Sequence, residues 1–196
     1  TLLTVDEPTP YRFDTFYDAA GRVDETAYPS GFGVEHVYTA AGYLKEVRDR
    51  TSGALYWRAD ARNAEGQLTQ FTFGNNVATV QGYHPDNGRL TGITAGPGGA
   101  VQALIFSYDA LGNLAQRVEN GLSESFAYDA LTRLTGATVA GGPAKSFAYD
   151  SIGNITYKSD VGTYSYPLPG AARPHAVSAT AGSVNASYAY DANGNL

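Results

Sequence analysis

The chain is 196 residues long and acidic: 13 Lys and Arg stand against 19 Asp and Glu, which gives a net charge of −6. Nucleic-acid affinity depends on clustered cations, so this balance, with its scattered basic residues, argues against a nucleic-acid partner. The absence of cysteine excludes a disulfide framework and a thiolate zinc site, while a hydrophobic content of 43% is sufficient for a core.

A seven-residue phrase, Tyr-Asp-x-x-Gly-Asn/Arg followed by an aliphatic residue, recurs along the chain. Its copies begin, in chain order, at residues 17, 38, 62, 83, 108, 128, 149 and 190. Successive starts are 20 to 25 residues apart except for a final step of 41, in which we expect one degenerate copy between Tyr166 and Val177. A fixed period of this length indicates one small structural unit that is repeated many times.

Four copies depart from the full phrase. The copy at residue 38 keeps Tyr, Gly and Leu but has Thr39 in place of Asp, and the copy at residue 62 keeps only Gly66 and Leu68. The copy at residue 83 has one extra residue before Gly88, and the copy at residue 128 has Thr132 in place of Gly. These departures are candidates for positions with a more specific function.

Each unit is predicted to be a β-hairpin with two kinds of turn. In the phrase, Asp should start a turn by accepting backbone N–H groups two or three residues on, and Gly should supply a left-handed position. Midway between phrases lie Gly-rich tips, the clearest being Asn120-Gly121, a strong signal for a two-residue hairpin loop. The other tips lie at residues 52–53, 74–75, 96–99, 141–143, 162 and 182–183. Turn signals about ten residues apart, without a sustained helical pattern, predict a meander of short strands with little helix.

Aromatic residues precede the phrases with the periodicity of a strand. Phe106 and Tyr108 are two residues apart, as are the pairs that begin at Phe126, Phe147 and Tyr188, so each pair shares a strand face. Stacked units would then carry a ladder of aromatic side chains, in which cross-strand pairs contribute roughly 0.2–1 kcal/mol each. We assign structural roles in wall and turn to the phrase residues Tyr17, Asp18, Gly21, Tyr38, Gly42, Tyr83, Gly88, Tyr108, Asp109, Gly112, Tyr128, Asp129, Tyr149, Asp150, Gly153, Tyr190, Asp191 and Gly194.

The phrase, its period and the tips between its copies resemble the YD repeats, also called Rhs repeats, over essentially the whole chain. These repeats occur in bacterial Rhs polymorphic toxins, in the shell components of insecticidal toxin complexes, in wall-associated proteins and in teneurins. The resemblance implies an all-β fold of repeated antiparallel hairpins that form a curved or spiralling sheet, as a segment of a hollow shell. In the toxin members, this shell encloses a C-terminal toxin domain that an autoproteolytic segment releases.

We expect residues 1–196 to form a single repeat array, because no linker or break in composition interrupts the repeats. The Asp-Pro steps typical of the autoproteolytic segment are missing, and the chain stops within a phrase at Leu196. A repeat array needs capping units, and neither end supplies one, so we expect a fragment of a longer protein. The first eight residues do not resemble a signal peptide, and no run of about 18 apolar residues predicts a membrane span.

The sequence predicts no catalytic, metal or cofactor site, and we expect that the chain is not an enzyme. A Tyr-Asp pair in so many copies suits turn and core roles better than acid–base catalysis. The segment from Asp191 faintly resembles a calcium loop, but its Gly is misplaced for an EF-hand. His36, His84 and His175 are far apart in sequence, and His36 occupies the strand position that Phe has in other units.

Two segments leave a binding role open. Trp57, the only tryptophan, lies in a predicted strand, where an inter-strand role is favoured over stacking on a sugar ring. Residues 164–175 break the period and contain three Pro, which sheets confine to edges, turns and bulges. We expect a surface excursion there, with binding of a partner as the alternative.

The leading hypothesis for function is a structural shell segment that encloses a toxin cargo for delivery to a competitor or host cell. Its partners would be the enclosed toxin domain or other segments of the same shell, in a protein that is secreted or at the bacterial cell surface. The alternative is a cell-surface adhesion or carbohydrate-binding module with glycan partners, which a row of exposed Tyr or Trp would favour.

Overall fold

A computed structural model describes residues 2–3, 11–168 and 170–196. The secondary structure of these residues is all β apart from one 3-10 turn at Pro97–Gly99. The strands are β1 Leu2–Leu3, β2 Tyr11–Arg12, β3 Asp14–Tyr17, β4 Val23–Ala27, β5 Gly33–Tyr38, β6 Leu44–Asp49, β7 Leu55–Arg62, β8 Leu68–Phe73, β9 Ala78–Tyr83, β10 Leu90–Ala95, β11 Gln102–Tyr108, β12 Leu114–Glu119, β13 Leu122–Tyr128, β14 Leu134–Val139, β15 Lys145–Tyr149, β16 Ile155–Lys158, β17 Gly162–Ser165, β18 Ala179–Ala181 and β19 Ala186–Ser187.

The chain divides into two compact units, Thr1–Leu104 and Ile105–Leu196. In the first unit, β3 to β10 pair in chain order, each antiparallel to the next, and β1 pairs with β2. In the second unit, β12 to β19 pair in the same way. The predicted all-β fold of consecutive antiparallel hairpins is therefore confirmed.

The phrases lie where one strand ends and the next begins. The pairing register shifts by one residue just before the turn, for example between Ala127 and Tyr128 and between Ala148 and Tyr149. A shift of this kind is a β-bulge, which adds one residue to one strand and increases the local twist. The period of the sequence thus corresponds to one hairpin, with a bulge at the phrases that begin at residues 17, 38, 62, 83, 128 and 149.

The two faces of the sheet in the first unit differ in chemistry. On one face, Trp57 stands opposite Val47 and Phe73, and its ring centroid lies 6.1 Å from that of Phe71. Trp57 therefore has the inter-strand position that its strand pattern favours. The opposite face carries ion pairs, among them Glu46 with Arg48, and Arg58 Nε with Asp60 Oδ1 at 2.6 Å; Glu25 with Arg50 is a further pair.

Little of the described chain is buried. Ala95 is its only buried hydrophobic residue, and the buried polar residues are Glu46, Thr79, Asn154 and Thr180. A sheet with so little interior cannot rely on a core alone, so its hydrogen bonds carry an unusually large share of the architecture. None of the helical structure in the described ranges has the length and apolarity needed to cross a bilayer.

Residues 166–168 and 170–178, between β17 and β18, contain no strand, as expected for most of the surface excursion at residues 164–175, whereas Tyr164 and Ser165 belong to β17. Leu168 is 80% exposed within this segment, whereas Pro169 lies outside the described residues. The excursion replaces the short turn that joins the strands at the other phrases.

Candidate functional site: the Tyr-Asp turns

The phrase folds as a tight turn with one geometry in many copies. At the copy that begins with Tyr108, the N–H of Gly112 donates to the carbonyl of Asp109 at 3.1 Å, and the N–H of Asp109 donates to the carbonyl of Asn113 at 2.9 Å. Gly112 has a φ of 95°, which a residue with a Cβ resists. This is a three-residue hairpin loop, a type I turn followed by a left-handed residue in a bulge. The same two backbone bonds close the turns at Asp18, Asp129, Asp150 and Asp191.

The Asp carboxylate stabilises the turn by accepting hydrogen bonds from two of its backbone N–H groups. Oδ1 of Asp109 accepts the N–H groups of Leu111 and Asn113, both at 2.9 Å. We expected N–H donors two or three residues on; the donors are two and four residues on, because the left-handed Gly turns the fourth N–H back towards the carboxylate. Hydrogen bonds from the Asn113 side chain and from turn N–H groups lower the pKa of Asp109.

The residue after Gly holds the second carboxylate oxygen, a role that the sequence reasoning did not assign. Asn113 Nδ2 donates to Oδ2 of Asp109 at 2.9 Å, and Arg133 Nε donates to Oδ2 of Asp129 at 2.7 Å. Arg22, Asn154 and Asn195 make the same bond in their own turns. The recurrence of Asn or Arg at this one position of the phrase is the signal in the sequence that points to it. With both oxygens bonded, the carboxylate has a structural role in these turns.

In six units, a Tyr binds the preceding unit. The hydroxyl donates to a carbonyl at or just before the start of the second strand of the previous hairpin, as Tyr128 does to Leu114 at 3.0 Å and Tyr149 does to Leu134 at 2.7 Å. The same bond recurs for Tyr38 to Val23, Tyr83 to Leu68, Tyr166 to Ile155 and Tyr190 to Val177. The bonds made by Tyr166 and to Val177 locate the degenerate copy that the final 41-residue step predicts. Ring-to-ring contacts in the described part of the chain include two runs between residues 13 and 73.

Neighbouring turns are also bridged in the opposite direction. Arg133 Nη1 donates to the carbonyl of Asp150 in the next turn at 3.0 Å, and its guanidinium lies 4.8 Å from the centre of the Tyr149 ring. Gln67 reaches the carbonyl of Gly88 in the same way at 2.8 Å. At these two junctions the donors come from both sides, because Tyr149 and Tyr83 donate in the other direction.

The departure at Arg62 preserves the bonding pattern with different chemistry. Nη2 of Arg62 donates to the carbonyl of Leu44 at 3.3 Å, which replaces the Tyr hydroxyl. Asn63 takes the position of Asp, accepting the N–H of Gln67 at 2.8 Å through Oδ1 and donating to Oε1 of Gln67 through Nδ2 at 2.8 Å. The carboxylate and its donor are thus exchanged for a neutral amide pair.

Two other degenerate copies also keep a side-chain acceptor. Thr39 Oγ1 accepts the N–H of Tyr43 at 3.1 Å, and His84 Nδ1 accepts the N–H of Asp86 at 3.2 Å. In the His84 copy the extra residue lengthens the loop, so that the N–H of Gly88 donates to the carbonyl of His84 at 2.9 Å. The copies that depart from the phrase therefore still provide a side-chain acceptor for a turn N–H, although the residue that provides it differs.

Thr132 occupies the left-handed position with a φ of 60° and still donates its N–H to Asp129. A β-branched residue is strained there by about 1–2 kcal/mol. Thr132→Gly is therefore expected to raise the free energy of unfolding by about 0.5–1 kcal/mol, since the greater freedom of Gly in the unfolded chain offsets part of the relief. Urea unfolding followed by circular dichroism measures the change.

Two matched variants control this prediction. Thr132→Ala keeps a Cβ and is expected to gain less than Thr132→Gly, while Gly112→Thr introduces the same strain in an otherwise regular turn and is expected to lower stability. Equal stability of the Gly and Ala variants would show that the left-handed backbone of residue 132 is not strained.

The excursion is fastened to the turn before it by one buried side chain. Asn154 is only 7% exposed; its Nδ2 donates to Oδ2 of Asp150 at 2.9 Å and to the carbonyl of Pro174 at 3.0 Å. Its Oδ1 lies 2.7 Å from Nδ1 of His175. Arg173 links the excursion to the next turn, since its Nη2 donates to the carbonyl of Ala192 at 2.6 Å. The irregular segment is thus part of the same bonded row of turns.

The tips on the other edge of the sheet are simpler. Asn120 and Gly121 both have positive φ, 49° and 87°, between the paired residues Glu119 and Leu122, which is the two-residue loop that Asn-Gly predicts. A tip that the sequence reasoning missed lies at residues 28–32, where the N–H of Gly31 donates to the carbonyl of Tyr28 at 3.0 Å. Pro29-Ser30-Gly31 is the turn signal there.

The histidines occupy separate places in the repeat. His36 lies on β5 with Nδ1 3.4 Å from the carbonyl of Asp24, while His84 and His175 belong to the turns described above. Within the described ranges, no three His, Asp or Glu side chains are grouped as a metal site would require.

Four aromatic side chains form an exposed row in the first unit. Phe13, Tyr28, Phe32 and Tyr56 have successive ring centroids 5.8, 5.5 and 5.9 Å apart, and each ring is between 38% and 45% exposed. The hydroxyl of Tyr56 donates to Oδ2 of Asp49 at 2.8 Å, which holds the end of the row. Bonds from Ser52, Tyr56 and Thr51 lower the pKa of Asp49 to about 2.

Comparisons with known proteins agree with this architecture. Residues 108–144 match the family model described as RHS Repeat, and no curated protein sequence matches the chain significantly. Among solved structures, the chain is similar to the crystal structure of TcdB2-TccC3-Cdc42, with a TM-score of 0.68 and 22% identity over 78% of this chain. It is also similar to TcdB2-TccC3 (TM-score 0.67, 21% identity, 78% of this chain) and to the Photorhabdus luminescens Tc holotoxin pore with a TccC3 mutation (TM-score 0.66, 21% identity, 76% of this chain).

The chain spans only 9% of the length of each of these three chains. At 21–22% identity, the likeness is one of fold. It extends beyond the 37 residues of the family match, and the turn bonds recur on both sides of those residues. The chain therefore carries an RHS repeat at residues 108–144 and has the fold of a part of the TcdB2-TccC3 structures, which confirms the resemblance seen in its sequence.

Proposed function

We propose that this chain is a segment of the wall of an Rhs-type shell that encloses a toxin cargo, within a larger protein that is secreted or lies at the bacterial cell surface. The observation that carries the proposal is the likeness to TcdB2-TccC3 over 78% of the chain. The partners are the enclosed toxin domain or other segments of the same shell. In this proposal residues 1–196 form one array, and the phrase residues hold it together rather than contacting cargo.

The physical properties of the sheet support a wall. A wall must keep its shape with little interior, and here the strands are joined by Tyr hydroxyls and by side chains that bridge neighbouring turns. Its apolar face in the first unit bears a cleft of about 370 Å³ without charged lining residues. The residues that line this cleft are Phe71, Phe73, Asn75, Val77, Thr79, Gln81, Ile93, Ala95, Val101 and Gln102. An uncharged, mostly apolar surface suits a partly folded polypeptide, which exposes apolar side chains.

Protease protection in the full reading frame that contains this chain tests the proposal. A domain downstream of the repeats is expected to resist a protease in the native protein and to be cut once the repeats are unfolded by urea, because the wall excludes the enzyme. The fragments are identified by mass spectrometry. Cutting of that domain at the same rate in native and unfolded protein would overturn the proposal.

A wall variant serves as a control for the mechanism of protection. Asn154→Ala, which removes the bonds to the excursion, is expected to shorten the protection, whereas Ser183→Ala at an exposed tip is expected to leave it unchanged. If both variants protect as the native protein does, the excursion does not contribute to the enclosure.

A surface adhesion or carbohydrate-binding module is the second candidate, which the exposed row of Phe13, Tyr28, Phe32 and Tyr56 favours. Exposed aromatic faces offer an amphipathic surface for the apolar side of a ligand ring. Binding on a glycan array that is lost in Tyr28→Ala would support it, and absence of binding would leave the row without a glycan partner.

A further inference from the structure

The cleft on the apolar face of the first unit is a groove that follows β9. Its middle is formed by Thr79, which stands opposite Phe71 on β8 and opposite Ala95 on β10. Val77 and Gln81, two residues before and two residues after Thr79, extend this lining along the chain over about 13 Å. We call this cleft the β9 groove.

The β9 groove is deep because small side chains form its floor between larger ones. Thr79 and Ala95 are only 4% and 6% exposed, although the groove above them holds about 370 Å³. The hydroxyl of Thr79 is buried without a hydrogen-bond partner among the described residues. Such groups are rare in proteins, and rotation about the Cα–Cβ bond of Thr79 would present this one to a guest in the groove.

One wall of the groove continues a run of aromatic rings. The ring centroid of Phe71 lies 6.1 Å from that of Trp57 and 5.3 Å from that of Phe73, which it meets edge to face. Phe73 is 43% exposed, so the run ends on an open ring. Aromatic rings prefer offset or edge-to-face partners with centroids about 4.5–7 Å apart. A further ring in the groove would therefore complete the packing of Phe73.

The polar side chains that line the groove are uncharged. Oδ1 of Asn75 accepts the N–H of Val77 at 3.1 Å, which leaves its amide NH2 group without a partner among the described residues. Within the same residues, the side-chain amide of Gln102 has no partner either. An amide side chain offers a donor and an acceptor side by side, as a peptide group does. Because burial of an unpaired charge is costly, this lining selects an uncharged guest.

We propose that the β9 groove binds an extended, uncharged segment of polypeptide through an aromatic side chain that packs against Phe71 and Phe73. The inference rests on the proposed function, in which the wall encloses a polypeptide, and it identifies which segments of that polypeptide the wall holds. An extended chain advances about 3.3 Å per residue, so about four residues follow the groove, and their peptide groups meet the amides of Asn75 and Gln102. The groove is open to solvent on one side, so the backbone of the guest continues beyond both ends, whereas sites for small molecules enclose most of the ligand surface.

Trp57 provides a direct readout, because it is the only tryptophan and its ring lies beside that of Phe71. The probe is acetyl-Gly-Val-Tyr-Val-Ser-amide, titrated into the 196-residue chain while the fluorescence of Trp57 is followed. Saturable binding is expected, with a dissociation constant of about 0.1–1 mM, because one aromatic anchor has to offset the ordering of the peptide. Replacing Tyr in the probe by Ala is expected to weaken binding at least about tenfold. A probe with Lys in place of Tyr is expected to bind no better than the Ala probe, even though the net charge of −6 attracts it.

Variants of the chain locate the site. Ala95→Leu fills the floor of the groove and is expected to abolish binding, with its urea midpoint as the check that it folds. Gln102→Leu removes one amide without filling the floor and is expected to weaken binding about threefold to tenfold. Gln70→Leu makes the same chemical change on the opposite face of β8 and is expected to bind the probe as the native chain does.

A free phenol is the alternative guest, and p-cresol tests it. Binding of p-cresol as tight as that of the peptide would indicate a small-molecule site and overturn the proposal. Equal binding of the Tyr and Ala probes, binding that Ala95→Leu leaves unchanged, or no saturable binding by fluorescence and calorimetry up to about 5 mM peptide would each overturn it too. These measurements contain no cargo domain. Protease protection of a downstream domain without peptide binding would therefore contradict this inference alone, and peptide binding without protection would contradict the proposed enclosure alone.

Discussion

Asn154→Ala is expected to lower the free energy of unfolding by about 3 kcal/mol, the largest effect of any single side chain considered. The substitution removes the donor to Asp150 and to the carbonyl of Pro174 and leaves Nδ1 of His175 without its Asn154 partner. Each buried polar group left unsatisfied costs about 1–3 kcal/mol, and Asn154 is only 7% exposed. Urea unfolding followed by circular dichroism measures the loss.

A matched variant separates the fastening of the excursion from the clamp inside the turn. Asn113→Ala removes the equivalent bond to Asp109 in a turn that has a regular neighbour, and it is expected to cost about 1 kcal/mol. The difference between the two variants then reports the bonds to residues 174–175. If Asn113→Ala is as damaging as Asn154→Ala, the bridge to the excursion contributes nothing to stability.

Acid is expected to destabilise the protein steeply between about pH 4 and pH 2. Hydrogen bonds within the turns lower the pKa values of Asp18, Asp109, Asp129, Asp150 and Asp191, and the pKa of Asp49 falls to about 2. An Asp in the unfolded chain titrates near 3.9. Since each folded pKa lies below the unfolded one, the stabilisation is present above that value and is lost as the pH falls through the folded pKa. Urea midpoints at pH 7, 5, 3.5 and 2.5 measure the loss.

The turn at Asn63 suggests a control variant for the predicted acid unfolding. There the amide of Asn63 replaces the carboxylate and bonds Gln67 without a titrating group. The double variant Asp109→Asn/Asp129→Asn is therefore expected to be less stable at neutral pH but to lose less stability on acidification. A urea midpoint that stays constant from pH 7 to pH 2.5 would contradict a role of the turn carboxylates in acid unfolding.

The repeating parts of the fold were predictable from sequence because each follows from local chemistry. The period, the left-handed Gly and the Asn120-Gly121 loop depend on residues within a few positions of one another, and their backbone preferences are strong. The degenerate copy between Tyr166 and Val177 was also located, since a gap of two periods leaves few alternatives.

The bonds between units were not predictable in the same way. The Tyr128 hydroxyl and the Leu114 carbonyl are 14 residues apart, and only the pairing of three strands brings them together. In the sequence, Arg62 only marks a copy without its Tyr. The sequence does not show that the Arg62 guanidinium bonds the Leu44 carbonyl, which is the position that a Tyr hydroxyl bonds in other units. The sequence shows that Asn or Arg recurs after the Gly position, as Asn113 and Arg133 do. That this side chain bonds Oδ2 of the Asp in the same turn becomes apparent only in the folded turn.

The junction between the turns at Asp129 and Asp150 is bonded from both sides by different groups: the later unit gives the hydroxyl of Tyr149, and the earlier unit gives the guanidinium of Arg133. The junction at Tyr83 and Gln67 has the same arrangement. The junction is consequently directional: each unit has a front and a back that cannot be exchanged. Where two junctions use the same pair of bonds, the front of one unit fits the back of the other, and whole units can be duplicated, deleted or recombined in the gene without a new kind of interface. A cut that leaves part of a hairpin also leaves a strand without its partner, so a lineage of such proteins is expected to change in length by steps of about 20–25 residues.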